Sequence, residues 1–179
     1  MKAVMISIQP QYVDKIISGK KTIEVRKSRP NTGTPFKCYI YETKGKKQYW
    51  SQPLPIPYFE GKGKVIGEFI CDCIEEFKVF ENGSVQYWNY NNLEKSCLTY
   101  DEISNYIGKN KKGYALYILD LKIYDKPKEI TSFYKCPRAQ CDKCYGEIMN
   151  ERLKKYGRCA ECLRLTRPPQ SWCYVEVIG

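Results

Sequence analysis

Lys21, Glu24 and Arg26 place a carboxylate between two cations within six residues near the start of the chain. If residues 22 to 26 form a strand, alternation directs Glu24 and Arg26 to one face and the aliphatic side chains to the other. The long stem of Lys21 can reach the charged face. If these three charged side chains meet in one groove, the groove suits a ligand with both hydrogen-bond donors and acceptors, such as a nucleobase with its phosphate. The alternative is a solvated edge strand whose charges pair at the surface.

A second group of residues that could bind a metal or react is a cluster of five of the ten cysteines. Its spacing is Cys136-x4-Cys141-x2-Cys144-x14-Cys159-x2-Cys162. Two Cys-x-x-Cys turns supply the four thiolates that a tetrahedral Zn²⁺ accepts. We predict a structural, non-catalytic zinc bound by Cys141, Cys144, Cys159 and Cys162. Cys136 either replaces Cys141 or is unliganded. Free thiols or a redox pair are the alternative to a metal site.

Composition narrows the possible functions. The 179 residues suffice for one domain with a small appendage, and a net charge of +10 favours an anionic partner, with nucleic acid first and an anionic membrane surface second. The chain contains no histidine. This excludes histidine-dependent triads, a histidine-ligated catalytic zinc and an imidazole general base.

The sequence has no apolar run of the roughly 20 residues that cross a bilayer, and its start lacks the pattern of a signal peptide. The cysteines cluster with metal-ligand spacing instead of spreading as a disulfide framework would. We therefore expect a soluble protein of the cytoplasm, with no membrane partner.

Periodicity and turn residues predict mixed secondary structure. Strands are expected over residues 2 to 8, 22 to 26, 36 to 43, 64 to 80, 85 to 90 and 113 to 124, and after Pro169. A helix is expected from Pro10 until Gly19. A second helix begins at Thr99, which forms a capping box with Glu102. The last strand needs a partner in the earlier sheet, so the cysteine cluster is predicted to be an insertion.

The three tryptophans are candidates for stacking on bases. Trp50 lies in a long loop of residues 44 to 63 that is rich in lysine and proline, Trp88 follows a turn, and Trp172 precedes the last strand. Aromatic side chains beside basic ones can stack on bases along a phosphate path. Packing of these rings onto the protein's own core is the alternative.

Three motifs match a known pattern: Gly19-x-Lys21-x-x-Glu24-x-Arg26 after a strand and a helix, Gly113-Tyr114-Ala115, and the ending Pro168-Pro169-Gln170-Ser171-Trp172-Cys173-Tyr174. Together they resemble the ASCH domain family, and within it a small archaeal and phage-type group. The resemblance covers roughly residues 1 to 130 and 164 to 179. The cysteine-rich stretch lies outside the common pattern of the family.

The resemblance implies an α+β fold, a PUA-like mixed β-barrel with a few flanking helices. The cysteine spacing adds to it an inserted four-cysteine zinc module of residues 131–163. Residues 1–130 and 164–179 would form the ASCH domain. The family also implies a cleft floored by the motif strand and binding of RNA or modified nucleotides. Lys21, Glu24 and Arg26 would line this cleft, and Trp50 and Trp172 would stack on the ligand.

Two other functions compete with this nucleic-acid-binding module. Some ASCH proteins are amidohydrolases acting on N4-acylated cytidine, with a lysine at the Lys21 position and a threonine where this chain has Glu24. A metal-independent enzyme would use Lys21 as base or nucleophile and Glu24 as proton carrier. The third possibility is a zinc-stabilised protein-interaction domain. We favour the binding module, with RNA or single-stranded nucleic acid as its partner.

Overall fold

The computed structural model describes residues 2–45, 60–86, 90–135 and 163–177. The elements in chain order are β1 (Lys2–Ile8), α1 (Pro10–Ile17), β2 (Ile23–Arg26), β3 (Phe36–Glu42), β4 (Val65–Val79), β5 (Val85–Gln86), α2 (Tyr90–Ser96), α3 (Tyr100–Ile107), β6 (Lys112–Lys128), a 3-10 turn (Ile130–Ser132) and β7 (Trp172–Glu176). The fold is mixed α+β, as predicted. None of the helices in this part of the chain combines the length and apolar composition needed to cross a bilayer.

All seven strands belong to one sheet, in the order β2-β6-β4-β3-β1-β7, with β5 paired to β4. Among the strand pairs of the described residues, β1 and β3 are parallel and all others are antiparallel. Among the described strands this order is an open path, so the predicted closed barrel is wrong. The predicted pairing of the last strand with the earlier sheet is confirmed, because β7 runs antiparallel to β1.

Side chains connect the two ends of this open sheet, where a barrel would have main-chain hydrogen bonds. The guanidinium of Arg26, on β2, donates to the carbonyl of Ser7 on β1 at 2.6 Å. The indole of Trp172, on β7, donates to the carbonyl of Ser28 at 3.2 Å. The sheet therefore curls until its first and last strands are neighbours, but a gap remains between β2 and β1.

The core has one large cluster on one face of the sheet and two smaller clusters elsewhere. The large cluster joins β1, β3 and β4 to Val13 and Ile16 of α1. A second cluster packs Ile103 and Ile107 of α3 against Val25 of β2. Val13 and Ile16 are about one helical turn apart, as are Ile103 and Ile107, so the two residues of each pair lie on the same face of their helix. The apolar contacts therefore fix α1 against β1, β3 and β4, and α3 beside β2.

Two local expectations differ from the structure. Cys71 and Cys73 share a face in a regular strand, yet Cys71 is buried and Cys73 is exposed. The pairing of β4 with β6 shifts register between Cys71 and Ile74, and an irregularity of this kind changes which face a residue occupies. In addition, the strand expected over residues 85 to 90 does not reach its predicted end, because α2 begins at Tyr90. Val85–Gln86 form β5, and residues 87 to 89 lie outside the described part of the chain.

Candidate functional site

A cavity of about 290 Å³ lies at the gap between β2 and β1. Lys21, Glu24 and Arg26 form what we call the cleft floor. The end of β1 supplies Ser7 and the following Gln9, and the side walls come from α1 and α3. The cavity therefore lies between β2, the end of β1 and the segment before β7, which supplies Gln170.

The cleft floor is buried. Lys21, Glu24 and Arg26 expose only 2%, 7% and 6% of their surfaces. The aliphatic neighbours Ile23 and Val25 pack into the cluster around α3, which leaves the other face of β2 to the charges. The predicted alternation is confirmed, and the alternative of a solvated edge strand is wrong.

Glu24 is the centre of this buried network. One carboxylate oxygen lies 3.3 Å from Lys21 Nζ, and the other lies 3.1 Å from Arg26 Nη2. Lys21 Nζ also donates to the carbonyl of Ser96 at 2.7 Å, at the end of α2. Removing charges from water costs several kcal/mol per ion, so such a group is stable only with its partners in place. One carboxylate thus compensates two buried cations.

Arg26 has a further role at the gap. Besides its bond to Ser7, Nη1 lies 3.5 Å from the hydroxyl of Ser171, in the segment before β7. Its buried Nε has no hydrogen-bond partner among the described residues. An unsatisfied buried donor costs about 1–3 kcal/mol. Stability alone therefore does not account for an arginine at this position.

Two tyrosines provide aromatic surface on the walls of the cavity. Tyr12 comes from α1, and its ring centroid lies 5.3 Å from Lys21 Nζ. Burial, with the nearby carboxylates of Glu102 and Glu24, raises the pKa of the Tyr12 phenol, which keeps it a neutral hydrogen-bonding group. Tyr106 comes from α3, and its ring lies 5.0 Å from Lys27 Nζ.

The α3 wall depends on the capping box. The Thr99 amide donates to the Glu102 carboxylate at 2.7 Å, and the Glu102 amide donates to the Thr99 hydroxyl at 3.2 Å. The predicted capping box is confirmed. A second role of this helix was not predicted: Glu102 and Tyr106 line the cavity. Their spacing of four residues, which puts them on one helix face, was the available signal.

The other predicted site residues lie elsewhere. Trp172 does not line this cavity, because its indole bonds Ser28 and its ring packs edge-on against Tyr174 with centroids 5.4 Å apart. Trp50, Trp88 and the predicted zinc ligands Cys141, Cys144, Cys159 and Cys162 lie outside the described residues. Within the part of the chain that is described, no group of three or more potential ligands could hold a metal ion.

Comparisons with known proteins agree on the fold. The family model for the ASCH domain matches residues 6–118. The crystal structure of an ASCH protein from Zymomonas mobilis is similar over 97% of this chain and 87% of that chain, with 19% identity and a TM-score of 0.55. A tyrosine-to-phenylalanine mutant of that protein gives a TM-score of 0.54 at 19% identity, over 98% of this chain and 91% of the other. At such identities the likeness shows the fold alone. None of the curated proteins matches the chain.

The network around Glu24 leads to a stability prediction. Replacing Glu24→Gln leaves two buried cations without a counter-charge, which costs about 3–5 kcal/mol of the free energy of unfolding. The matched control is Glu76→Gln, because Glu76 and its partner Lys112 expose 46% and 62% of their side chains. Urea denaturation should show a large loss for the first variant and little change for the second. Equal effects would contradict the central role of Glu24.

Proposed function

Because the chain belongs to the ASCH domain family, we propose that it binds RNA or another single-stranded nucleic acid by taking one nucleotide into the cavity at the gap. The observation that carries this proposal is the buried cleft floor beneath two tyrosines. Such a cavity offers donors, acceptors and aromatic faces to one unstacked base. Proteins that bind single strands use this combination.

The charge outside the cavity supports a path for the phosphate backbone. Lys20, Lys27 and Arg29 are exposed on either side of the buried motif. The chain as a whole carries a net charge of +10. Exposed cations on both flanks of a base-sized cavity suit a strand that inserts one base and keeps its phosphates in solvent.

The amidohydrolase alternative is less well supported. A nucleophilic lysine must present a free amine to its substrate, whereas Lys21 Nζ donates to the Ser96 carbonyl and contacts Glu24. The side chain of Lys21 is almost fully buried. The glutamate at position 24 also replaces the threonine of the enzymes that the chain resembles. A protein-interaction domain, the third alternative, has no evident need for a buried charged floor.

Binding of single-stranded RNA should weaken steeply with salt. With three phosphate contacts, the slope of log affinity against log salt is expected to be about −2, measured by fluorescence anisotropy with a labelled oligonucleotide. Lys27→Ala should reduce the magnitude of that slope by about 0.7. Lys126→Ala, which removes the same charge from the far end of β6, is the control and should change it little. Affinity independent of salt, or equal effects of both variants, would contradict the proposal.

A second proposal concerns the cysteine cluster. We propose that residues 131–163 form a zinc-binding insertion between residues 1–130 and 164–179. The described flanks support it: the Lys135 amide donates to the Leu163 carbonyl at 2.7 Å, and the Leu165 amide donates to the Phe133 carbonyl at 2.8 Å. Phe133 and Leu165 are buried in the same cluster. The two described flanks of the cysteine cluster therefore lie side by side in the domain.

The zinc proposal predicts one Zn²⁺ per chain after purification under reducing conditions, measured by elemental analysis. Cys159→Ser should lose most of this zinc, because a four-thiolate site depends on every ligand and Cys136 is a spare only for Cys141. Cys73→Ser is the control, since Cys73 is an exposed thiol on β4 and lies outside the Cys-x-x-Cys pattern. A protein without stoichiometric zinc, or equal loss in the two variants, would overturn this assignment.

A further inference from the structure

The main chain of β2 has a free edge. Strand β2 pairs with β6 on one side, and none of the described strands pairs with its other side. The Thr22 carbonyl accepts from the Ile118 amide at 2.9 Å. In an antiparallel ladder, residues alternately direct their main-chain groups toward the partner strand and away from it. The Thr22 carbonyl and the main-chain groups of Glu24 and Arg26 therefore face β6, while the Thr22 amide donates to the Lys95 carbonyl at 2.9 Å. The N–H and C=O of Val25 face the free edge.

This edge borders the cavity. Val25 is one of the cavity-lining residues. Its side chain, however, packs with Ile103 and Ile107 of α3 in the apolar cluster and is almost fully buried. The part of Val25 that the cavity can use is therefore its main chain, with one donor and one acceptor directed to the same side.

The charges around the cavity favour an uncharged occupant. Its charged lining residues are two cations, Lys21 and Arg26, and two carboxylates, Glu24 and Glu102. Both cations already contact Glu24, and each donates to a main-chain carbonyl. A phosphate inside the cavity would have to compete with the Glu24 carboxylate for buried cations. A neutral ring with its own donor and acceptor meets no such competition.

We propose that the N–H and C=O of Val25 recognise the hydrogen-bonding edge of an uncharged nucleobase, which takes the place of a further strand beside β2. The Watson–Crick edge of each base carries a donor and an acceptor side by side, and proteins commonly recognise unstacked bases at this edge. The sugar and phosphate stay outside the cavity, toward the exposed cations. This inference rests on the proposed function and specifies which atoms of the protein contact the base.

The direct test is the Val25 amide resonance of the 15N-labelled full-length protein. It is recorded with a single-stranded RNA, with each of the four ribonucleosides, and with inorganic phosphate. RNA and at least one nucleoside should shift the Val25 amide and slow its hydrogen exchange, and phosphate should not. Methylating the Watson–Crick edge of the bound nucleoside, as in 3-methyluridine or 1-methylguanosine, should weaken its binding about 10- to 100-fold.

The outcomes separate this inference from the proposed function. If RNA binds and the Val25 amide does not change, or if methylated and unmethylated nucleosides bind equally, the inference is wrong and the proposed function remains. If neither RNA nor any nucleoside binds, both are wrong. Displacement of the nucleoside by phosphate would overturn the assignment of an uncharged occupant.

A pair of variants provides an independent test. Val25→Pro removes the donor, and because this N–H faces the free edge, no ladder hydrogen bond is lost. Val25→Ala removes most of the side chain and keeps the donor. Thermal unfolding verifies that both variants are folded, and the proline variant should then bind RNA at least about tenfold more weakly than the alanine variant. Equal affinities in two folded variants would contradict the inference. If Val25→Pro does not fold, the amide resonance of the unmodified protein decides.

Discussion

The carboxylate of Glu24, buried between Lys21 and Arg26, lies at the point where the sheet does not close. Well-packed apolar residues often stabilise a protein as well as a buried ion network of similar volume does. The network here also leaves the Nε of Arg26 without a partner in the described structure. Stability is a poor explanation for burying three charged side chains here. A polar ligand in the adjacent cavity would explain it.

The same network joins the fold to the site. Arg26 bonds β1 through Ser7, and Trp172 bonds the loop after β2 through Ser28, so side chains connect the ends of the sheet. Had main-chain pairing closed the barrel, β2 would have a strand neighbour on both sides, and no free edge would border the cavity. The candidate site therefore lies where the edge of β2 has no strand neighbour among the described residues.

Local features of the fold could be predicted from the sequence, because they depend on neighbouring residues. Alternation along β2 placed Glu24 and Arg26 together, and the Thr99 capping box marked the start of α3. Features that depend on distant pairing could not be predicted. The open order of the sheet is one, and the change of face at Cys73 is another, because it follows from the register between β4 and β6.

The same limit applies to the predicted site residues, as Trp172 shows. Its residue type suggested base stacking, but the partner of an aromatic ring depends on tertiary contacts, and here these are Tyr174 and Ser28. Conversely, the role proposed for Val25 involves its main chain, which residue type does not report. The predicted zinc ligands remain a prediction from spacing alone.

We infer that the free edge of β2, beside an intact Glu24 network, contacts the base of a bound nucleotide. A crystal structure of this chain with a bound single-stranded RNA is the decisive measurement. We expect one unstacked base with an edge atom roughly 3 Å from the Val25 amide nitrogen, with Glu24 still between Lys21 and Arg26 and the phosphates outside the cavity. A phosphate bound to Arg26 in place of Glu24, or an empty cavity with RNA bound elsewhere, would contradict it.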